Sequence, residues 1–192
     1  PQSMASPDVL LRRLHLILVG VPPRPEVVAA FTAKPSRESY ERIVDELLAS
    51  QRFGERWGRY WLDLAGYADS EGKRSADPVR PFAYRYRDYV IRAFNSDKPY
   101  SRFLQEQLAG DELPDASTET VIATGFHRLG PWDDEPADFA VDRFDQLDDI
   151  INTTSQAFLG LTMGCARCHE HKFDPFTQED YYSMVAIINP LK

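Results

Sequence analysis

The chain has 192 residues, of which 43% are hydrophobic, so one domain can form a full core, with or without an extension. Its 30 acidic residues outnumber the 22 Lys and Arg, and the net charge of −8 disfavours nucleic acid and anionic membrane surfaces as partners. No run of 18 apolar residues occurs in the sequence, so membrane insertion is not expected.

Apolar residues recur at helical spacing along almost the whole chain. The first stripe ends before Gly20, and Pro25 suits the first turn of a second helix. Ser36 can cap a third helix, and a bulky aromatic stripe that begins at Phe53 predicts a fourth. Residues 69–81 are polar and interrupted by Gly and Pro, which indicates a loop.

The second half of the chain continues the helical pattern. Stripes that begin at Tyr86 and Tyr100 predict two helices, the second of which ends at Gly110, and a short helix follows them. The longest helix is predicted from about 139 to 163, with Gly164 ending it, and a last helix lies near the end of the chain. Because no alternation typical of strands stands out, the predicted fold class is all-α, an irregular multi-helix domain.

Directly after the longest predicted helix, residues 165–169 read Cys-Ala-Arg-Cys-His and use both cysteines of the chain. This is the attachment motif of c-type haem. Cys165 and Cys168 can form thioether bonds to the haem vinyl groups, and His169 can ligate the iron as the proximal ligand. The sequence therefore predicts one covalently attached haem c after a long helix.

Other chemistries use parts of the same motif. A thioredoxin-like redox pair would need a βαβ context, which this sequence lacks. A zinc site could recruit His169 or His171, although no second CxxC and no His pair at finger spacing is present. A disulfide and unligated thiols are the remaining alternatives.

Several segments of the chain, and above all the stretch from Gly164 to Pro175 around the CxxCH motif, carry a family resemblance. The other segments are Leu10–Leu16, Gly20–Pro23, Phe53–Trp57, Trp61–Ala65, Tyr86–Val90, Asn95–Tyr100, Gln107–Asp111 and Gly125–Trp132. In these segments the chain resembles the planctomycete cytochrome-c-like domain family of unknown function. The resemblance spans roughly residues 8 to 188, and it implies haem binding but no particular activity.

The resemblance also implies a cellular setting. Members of that family occur inside large exported proteins, commonly beside a separate cytochrome c domain, and thioether attachment of haem takes place outside the bacterial cytoplasm. Residues 1–192 are therefore expected to be a single helical domain excised from a longer, periplasmic or otherwise exported protein. The expected partner is a redox protein or an adjacent cytochrome domain, and an electron carrier is favoured over a catalyst.

The second axial position of the iron is assigned by comparing the remaining His and Met residues. His127 is the best candidate, since it lies far along the sequence from the motif and precedes a rigid turn with an aromatic residue at Trp132. Ligation by two histidines would favour electron transfer. An open iron site flanked by His127 and Arg128 would instead favour a peroxidase-like oxidoreductase. There, His127 could take a proton as a base, and the Arg128 cation could stabilise the developing charge.

The other candidates have competing interpretations. His171 and Met163 lie too close to the motif to reach the opposite haem face, and His171 is expected to hydrogen-bond a haem propionate or Asp174. His15 and Met184 are expected in the core. A third function class, a non-redox binding module with CxxCH as a zinc or structural site, also stays open.

Four carboxylates lie close together at Asp133, Asp134, Glu135 and Asp138. Hard oxygen ligands of this kind can bind calcium, but the spacing does not match an EF-hand loop. A solvated acidic loop is the favoured interpretation.

Overall fold

A computed structural model of the protein describes residues 4–72, 77–133 and 135–190. Within these ranges the chain forms nine α-helices: α1 (Pro7–Leu18), α2 (Pro25–Ala33), α3 (Arg37–Leu48), α4 (Gln51–Leu64), α5 (Tyr84–Asn95), α6 (Tyr100–Ala109), α7 (Thr118–Ala123), α8 (Phe139–Thr154) and α9 (Gln178–Ile188). Two short 3₁₀ helices, Thr124–Arg128 and Met163–Arg167, and a π-helical turn, Ser155–Leu159, complete the helical structure of this part of the chain. The predicted all-α fold class is confirmed.

The starts of α2 and α3 lie where local sequence signals predict them. Pro25 occupies the first turn of α2, where its missing N–H costs no hydrogen bond. Ser36 caps α3, and its hydroxyl accepts a hydrogen bond from the Ser39 backbone N–H. The described part of the predicted loop, residues 69–72 and 77–81, is irregular and is joined by an isolated antiparallel bridge between Ser70 and Val79.

The chain divides into two compact units, one formed by Pro1–Trp61 with Val90–Pro99 and one by Leu62–Tyr89 with Tyr100–Lys192. In the first unit, buried apolar side chains on α1, α2 and α3 form a core: Leu11, Leu14, Phe31 and Ile43. The expectation of a single domain stays a prediction. Every helix among the described residues is too short or too polar to cross a bilayer.

The second unit contains the CxxCH motif and a core of its own. Buried side chains from α8, from the Met163–Arg167 3₁₀ helix and from α9 form that core: Leu147, Ile151, Met163, Ala166, Tyr181, Val185 and Ile188. The motif therefore lies on an element that packs directly between two helices. We call this 3₁₀ helix the motif turn.

The long helix before the motif ends earlier than its apolar stripe predicts. The expected range was about 139 to 163, but α8 ends at Thr154, the π-helical turn ends at Leu159, and Gly160 adopts a left-handed conformation with φ of 68°. A left-handed residue cannot continue a right-handed helix, so Gly160, and not Gly164, ends the helical segment. The motif turn is thus a separate element and not the end of a long helix.

Gly160 supplies a stability prediction. Replacing Gly160 with Ala is expected to lower the free energy of unfolding by about 1–2 kcal/mol, because a Cβ disfavours the left-handed conformation. Gly125→Ala is the matched control, since a Cβ there would make an ordinary contact at 3.5 Å from a Tyr86 ring carbon and no left-handed conformation is required. Urea denaturation of both variants measures the difference, and an equally stable Gly160→Ala protein would contradict the assigned role.

Candidate haem-attachment site

The two cysteines of the motif are separated by about one turn of backbone. Cys165 lies on the motif turn, and Cys168 is the residue at its C-terminal cap. The backbone N–H groups of Cys168 and His169 both donate to the carbonyl of Cys165, each over 3.4 Å. Both cysteines are free thiols on exposed residues. The local backbone therefore leaves two thiols exposed about one turn apart.

One side of the motif turn is anchored in the core. Met163 and Ala166 are 5% and 0% exposed and also lie three residues apart. Gly164 lies so close to the Asn152 side chain of α8 that a Cβ there would clash with it. Small and apolar residues thus hold the inner face of the motif turn.

His169 is exposed, and one of its ring nitrogens already has a partner. Its Nδ1 lies 2.7 Å from the backbone carbonyl of Glu170, which requires the proton to be on Nδ1. The lone pair is then on Nε2, which is the atom left to bind a metal. Metal-ligating histidines commonly donate their second ring N–H to a carbonyl in this way. The residues of the motif therefore suit a c-type haem.

The middle residue of the motif connects it to two helices. The Arg167 guanidinium pairs with Asp145 at 3.0 Å and with Asp148 at 3.5 Å, both on α8. Tyr181 of α9 donates to Asp148 at 2.6 Å, and its burial together with this hydrogen bond raises the pKa of the phenol. The Arg167 carbonyl accepts a further hydrogen bond from the Tyr182 hydroxyl at 3.0 Å. These contacts hold Arg167, and with it the motif turn, against α8 and α9.

His171 organises the loop that follows the motif. Its side chain is only 6% exposed, and its Nδ1 accepts hydrogen bonds from the backbone N–H groups of Asp174 at 2.8 Å and Phe173 at 3.3 Å. The expected contact with the Asp174 carboxylate is present at 3.4 Å. Because Nδ1 accepts from two backbone N–H groups, it carries no proton for the carboxylate, so the close contact with Asp174 is not the expected hydrogen bond.

His127 and Arg128 lie on the Thr124–Arg128 3₁₀ helix. The Nε2 of His127 is 3.1 Å from the Leu108 carbonyl, and its Nδ1 is buried without a hydrogen-bond partner among the described residues. Burial lowers the pKa of this imidazole, against smaller opposing effects of Leu108 and Asp111. The Arg128 guanidinium lies over the Trp132 ring, 4.8 Å from its centroid.

His127 and Arg128 share a cavity in the structure. Both line a cavity of about 500 Å³ whose described lining residues include none of the five CxxCH residues. Ligation of iron by His127 would also require its ring to turn away from Leu108 or to expose Nδ1. His127 as the sixth ligand therefore stays a prediction.

The other candidates for the sixth ligand, Met163, Met184 and His15, lie in or against the two cores. Met163 belongs to the core of the second unit, and Met184 packs against that core. His15 is buried in the first unit, as expected, where burial lowers its pKa. Its Nε2 has no hydrogen-bond partner in the described structure, so it is not the satisfied core histidine that sequence reasoning favours.

The acidic loop has local roles in the structure. Asp133 accepts a hydrogen bond from the Glu135 backbone N–H, and Asp138 caps α8 by accepting from Ala140 and Val141. Asp134 lies outside the described residues. No group of three or more His, Cys, Asp or Glu side chains among the described residues could hold a metal ion.

Sequence reasoning missed two residues that shape the cavity. Arg80 donates hydrogen bonds to the carbonyls of Leu129, at 2.8 Å, and Gly130, so it holds the turn that follows the 3₁₀ helix. Asp149 of α8 lies against Gly130, and burial raises the pKa of its carboxyl. Both contacts join residues far apart in the sequence, so no local signal points to them.

Comparison with known proteins identifies a family. The family PSCyt2, "Protein of unknown function (DUF1549)", matches residues 1–192, the full length of the chain. No curated protein and no solved structure matches significantly.

Proposed function

The chain belongs to the PSCyt2 family, and we propose that it is a monohaem c-type cytochrome module that transfers electrons within an exported multidomain protein. The observation that carries this proposal is the geometry of the motif turn. Cys165 and Cys168 are free and exposed about one turn apart, and His169 keeps Nε2 for a metal because Nδ1 is engaged by Glu170. A bound haem would supply a one-electron redox couple.

The residues of the motif have distinct roles in this proposal. Cys165 and Cys168 would hold the haem through two thioether bonds, since addition of a thiol S–H across a vinyl double bond consumes no oxidant. His169 is the proximal ligand, and the Glu170 carbonyl sets its tautomer and orientation. Arg167 pairs with Asp145 of α8 and so holds the motif turn in place. The relative positions of Cys165, Cys168 and His169 are thereby kept.

The environment of the motif suits a carrier of electrons. Cys165, Cys168 and His169 are all exposed, so an edge of the haem would lie near the surface, where electrons can leave it. The net charge of −8 favours a redox protein or adjacent cytochrome domain with a basic docking patch. Export follows from the chemistry, since thioether attachment takes place outside the cytoplasm.

The first test concerns the sixth ligand. With His127 opposite His169, the ferric protein is expected to be low-spin and six-coordinate, and His127→Ala is expected to turn it high-spin and speed cyanide binding. Visible and electron paramagnetic resonance spectra measure the spin state. The His15→Ala variant is the matched control and should keep the wild-type spectrum. An unchanged spectrum in His127→Ala would exclude His127.

The second test separates a carrier from a peroxidase. A carrier needs no general acid or base at the iron, so we expect rapid reduction by small reductants and negligible turnover of hydrogen peroxide. Stopped-flow reduction and a peroxide-consumption assay measure the two activities. Sustained peroxide consumption that is lost in both His127→Ala and Arg128→Ala would contradict the carrier function and support a haem-dependent oxidoreductase.

A further inference from the structure

The cavity of about 500 Å³ in the second unit has the size of a small-molecule site, and none of its described lining residues belongs to the CxxCH motif. Its walls come from the end of α6 and the residues that follow it, from the Thr124–Arg128 3₁₀ helix and the turn after it, from α8 and from Pro190. His127 and Arg128 also line this cavity, but the proposal below is tested at Glu112 and Asp149, which have no part in the proposed haem attachment.

The walls of the cavity are held by hydrogen bonds between distant segments. Arg80 binds the Leu129 and Gly130 carbonyls, and the Trp132 backbone N–H donates to the Glu71 carbonyl at 3.3 Å. On the other side, Arg143 of α8 donates to the Asn189 carbonyl at 2.8 Å. A cavity fixed in this way loses little conformational freedom when a ligand binds.

The polar groups of the cavity carry both signs of charge. Arg128 and Arg143 line it together with three carboxylates, Asp111, Glu112 and Asp149. Such a mixture gives neither an anionic nor a cationic ligand a clear electrostatic advantage. The lining therefore favours a ligand without net charge.

The same groups define the hydrogen-bonding character of that ligand. The three carboxylates only accept hydrogen bonds, and Arg128 only donates them. Among the described residues, no hydrogen bond to the carboxylates of Glu112 and Asp149 is present, and the Arg128 guanidinium makes only its contact with Trp132. A hydroxyl group donates and accepts at once, so neighbouring hydroxyls can serve both kinds of partner.

The rest of the lining is apolar. Pro131, Trp132 and Ile150 provide surface against which the C–H groups of a ring can pack. We propose that this cavity binds a neutral, hydroxyl-rich ligand of the saccharide class, with Glu112 and Asp149 accepting from its hydroxyls and Arg128 donating to them.

Isothermal titration calorimetry of the full chain tests this proposal. The probes are neutral hexoses, pentoses and their disaccharides, with sodium acetate and methylammonium chloride as charged comparators. We expect at least one neutral sugar to bind with 1:1 stoichiometry and neither charged probe to compete with it. Asp149→Asn and Glu112→Gln should each weaken its Kd about tenfold, because each removes a charge-assisted hydrogen bond.

The control is Glu179→Gln, an exposed carboxylate on α9 outside the cavity lining, which should leave the Kd unchanged. Circular dichroism checks that each variant folds. If Asp149→Asn does not fold, Glu112→Gln decides the test, because Glu112 is exposed and its replacement should not disturb the fold. Binding of a charged probe only, no binding of any neutral sugar, or binding that neither variant weakens would each overturn the proposal.

Discussion

Replacing both Cys165 and Cys168 with serine is expected to abolish covalent haem attachment and leave the fold intact. Both thiols are free and both residues are exposed, so the substitution removes no core contact and no disulfide. Serine is nearly isosteric with cysteine but cannot form the thioether bonds. Each single variant is expected to keep one thioether bond and to bind haem with lower yield.

Intact-mass spectrometry of protein produced with the cytochrome c maturation machinery measures this loss, and circular dichroism verifies the fold. Glu170→Gln is the matched control, because this exposed neighbour contributes its carbonyl to His169 and keeps it in the variant. Covalent haem that persists in the double serine variant would show that the attachment lies elsewhere.

Replacing Ile151 with Ala is expected to lower the free energy of unfolding by about 2–5 kcal/mol. Ile151 is 0% exposed and belongs to the core that α8, the motif turn and α9 share. The loss combines removed apolar burial with the cavity left behind, and it weakens the packing that holds the inner face of the motif turn.

Ile187→Ala on α9 is the matched control, since that side chain is 71% exposed and its removal should cost less than about 0.5 kcal/mol. Urea denaturation of the two variants gives the comparison. A loss below about 1 kcal/mol for Ile151→Ala would contradict the assigned core.

Local features of the fold can be predicted from the sequence because their causes are local. Pro25 and Ser36 act through the backbone of their own first helical turn, and the structure places them as predicted. The placement of Cys165 and Cys168 about one turn apart follows from their spacing in the sequence. Membership of a family of unknown function is likewise shown, since the PSCyt2 match covers the whole chain, whereas its cytochrome-c-like character stays a prediction.

Other features depend on context that periodicity does not encode. The apolar stripe of α8 continues past the point where Gly160 turns left-handed, so the stripe predicts too long a helix. The hydrogen bond between His127 and Leu108 and those from Arg80 to Leu129 and Gly130 join segments that only the tertiary fold brings together. The choice of His127 as the sixth ligand rests on sequence separation alone, and sequence separation does not say which segments the tertiary fold brings together.

The most direct measurement of the central claim is the intact mass and visible spectrum of the wild-type chain, produced with the cytochrome c maturation machinery and purified under denaturing conditions. The proposal predicts the mass of the chain plus one haem and the absorption bands of a c-type haem that stays attached after denaturation. A protein that carries zinc on Cys165, Cys168 and His169, or that carries neither metal nor haem, would contradict it.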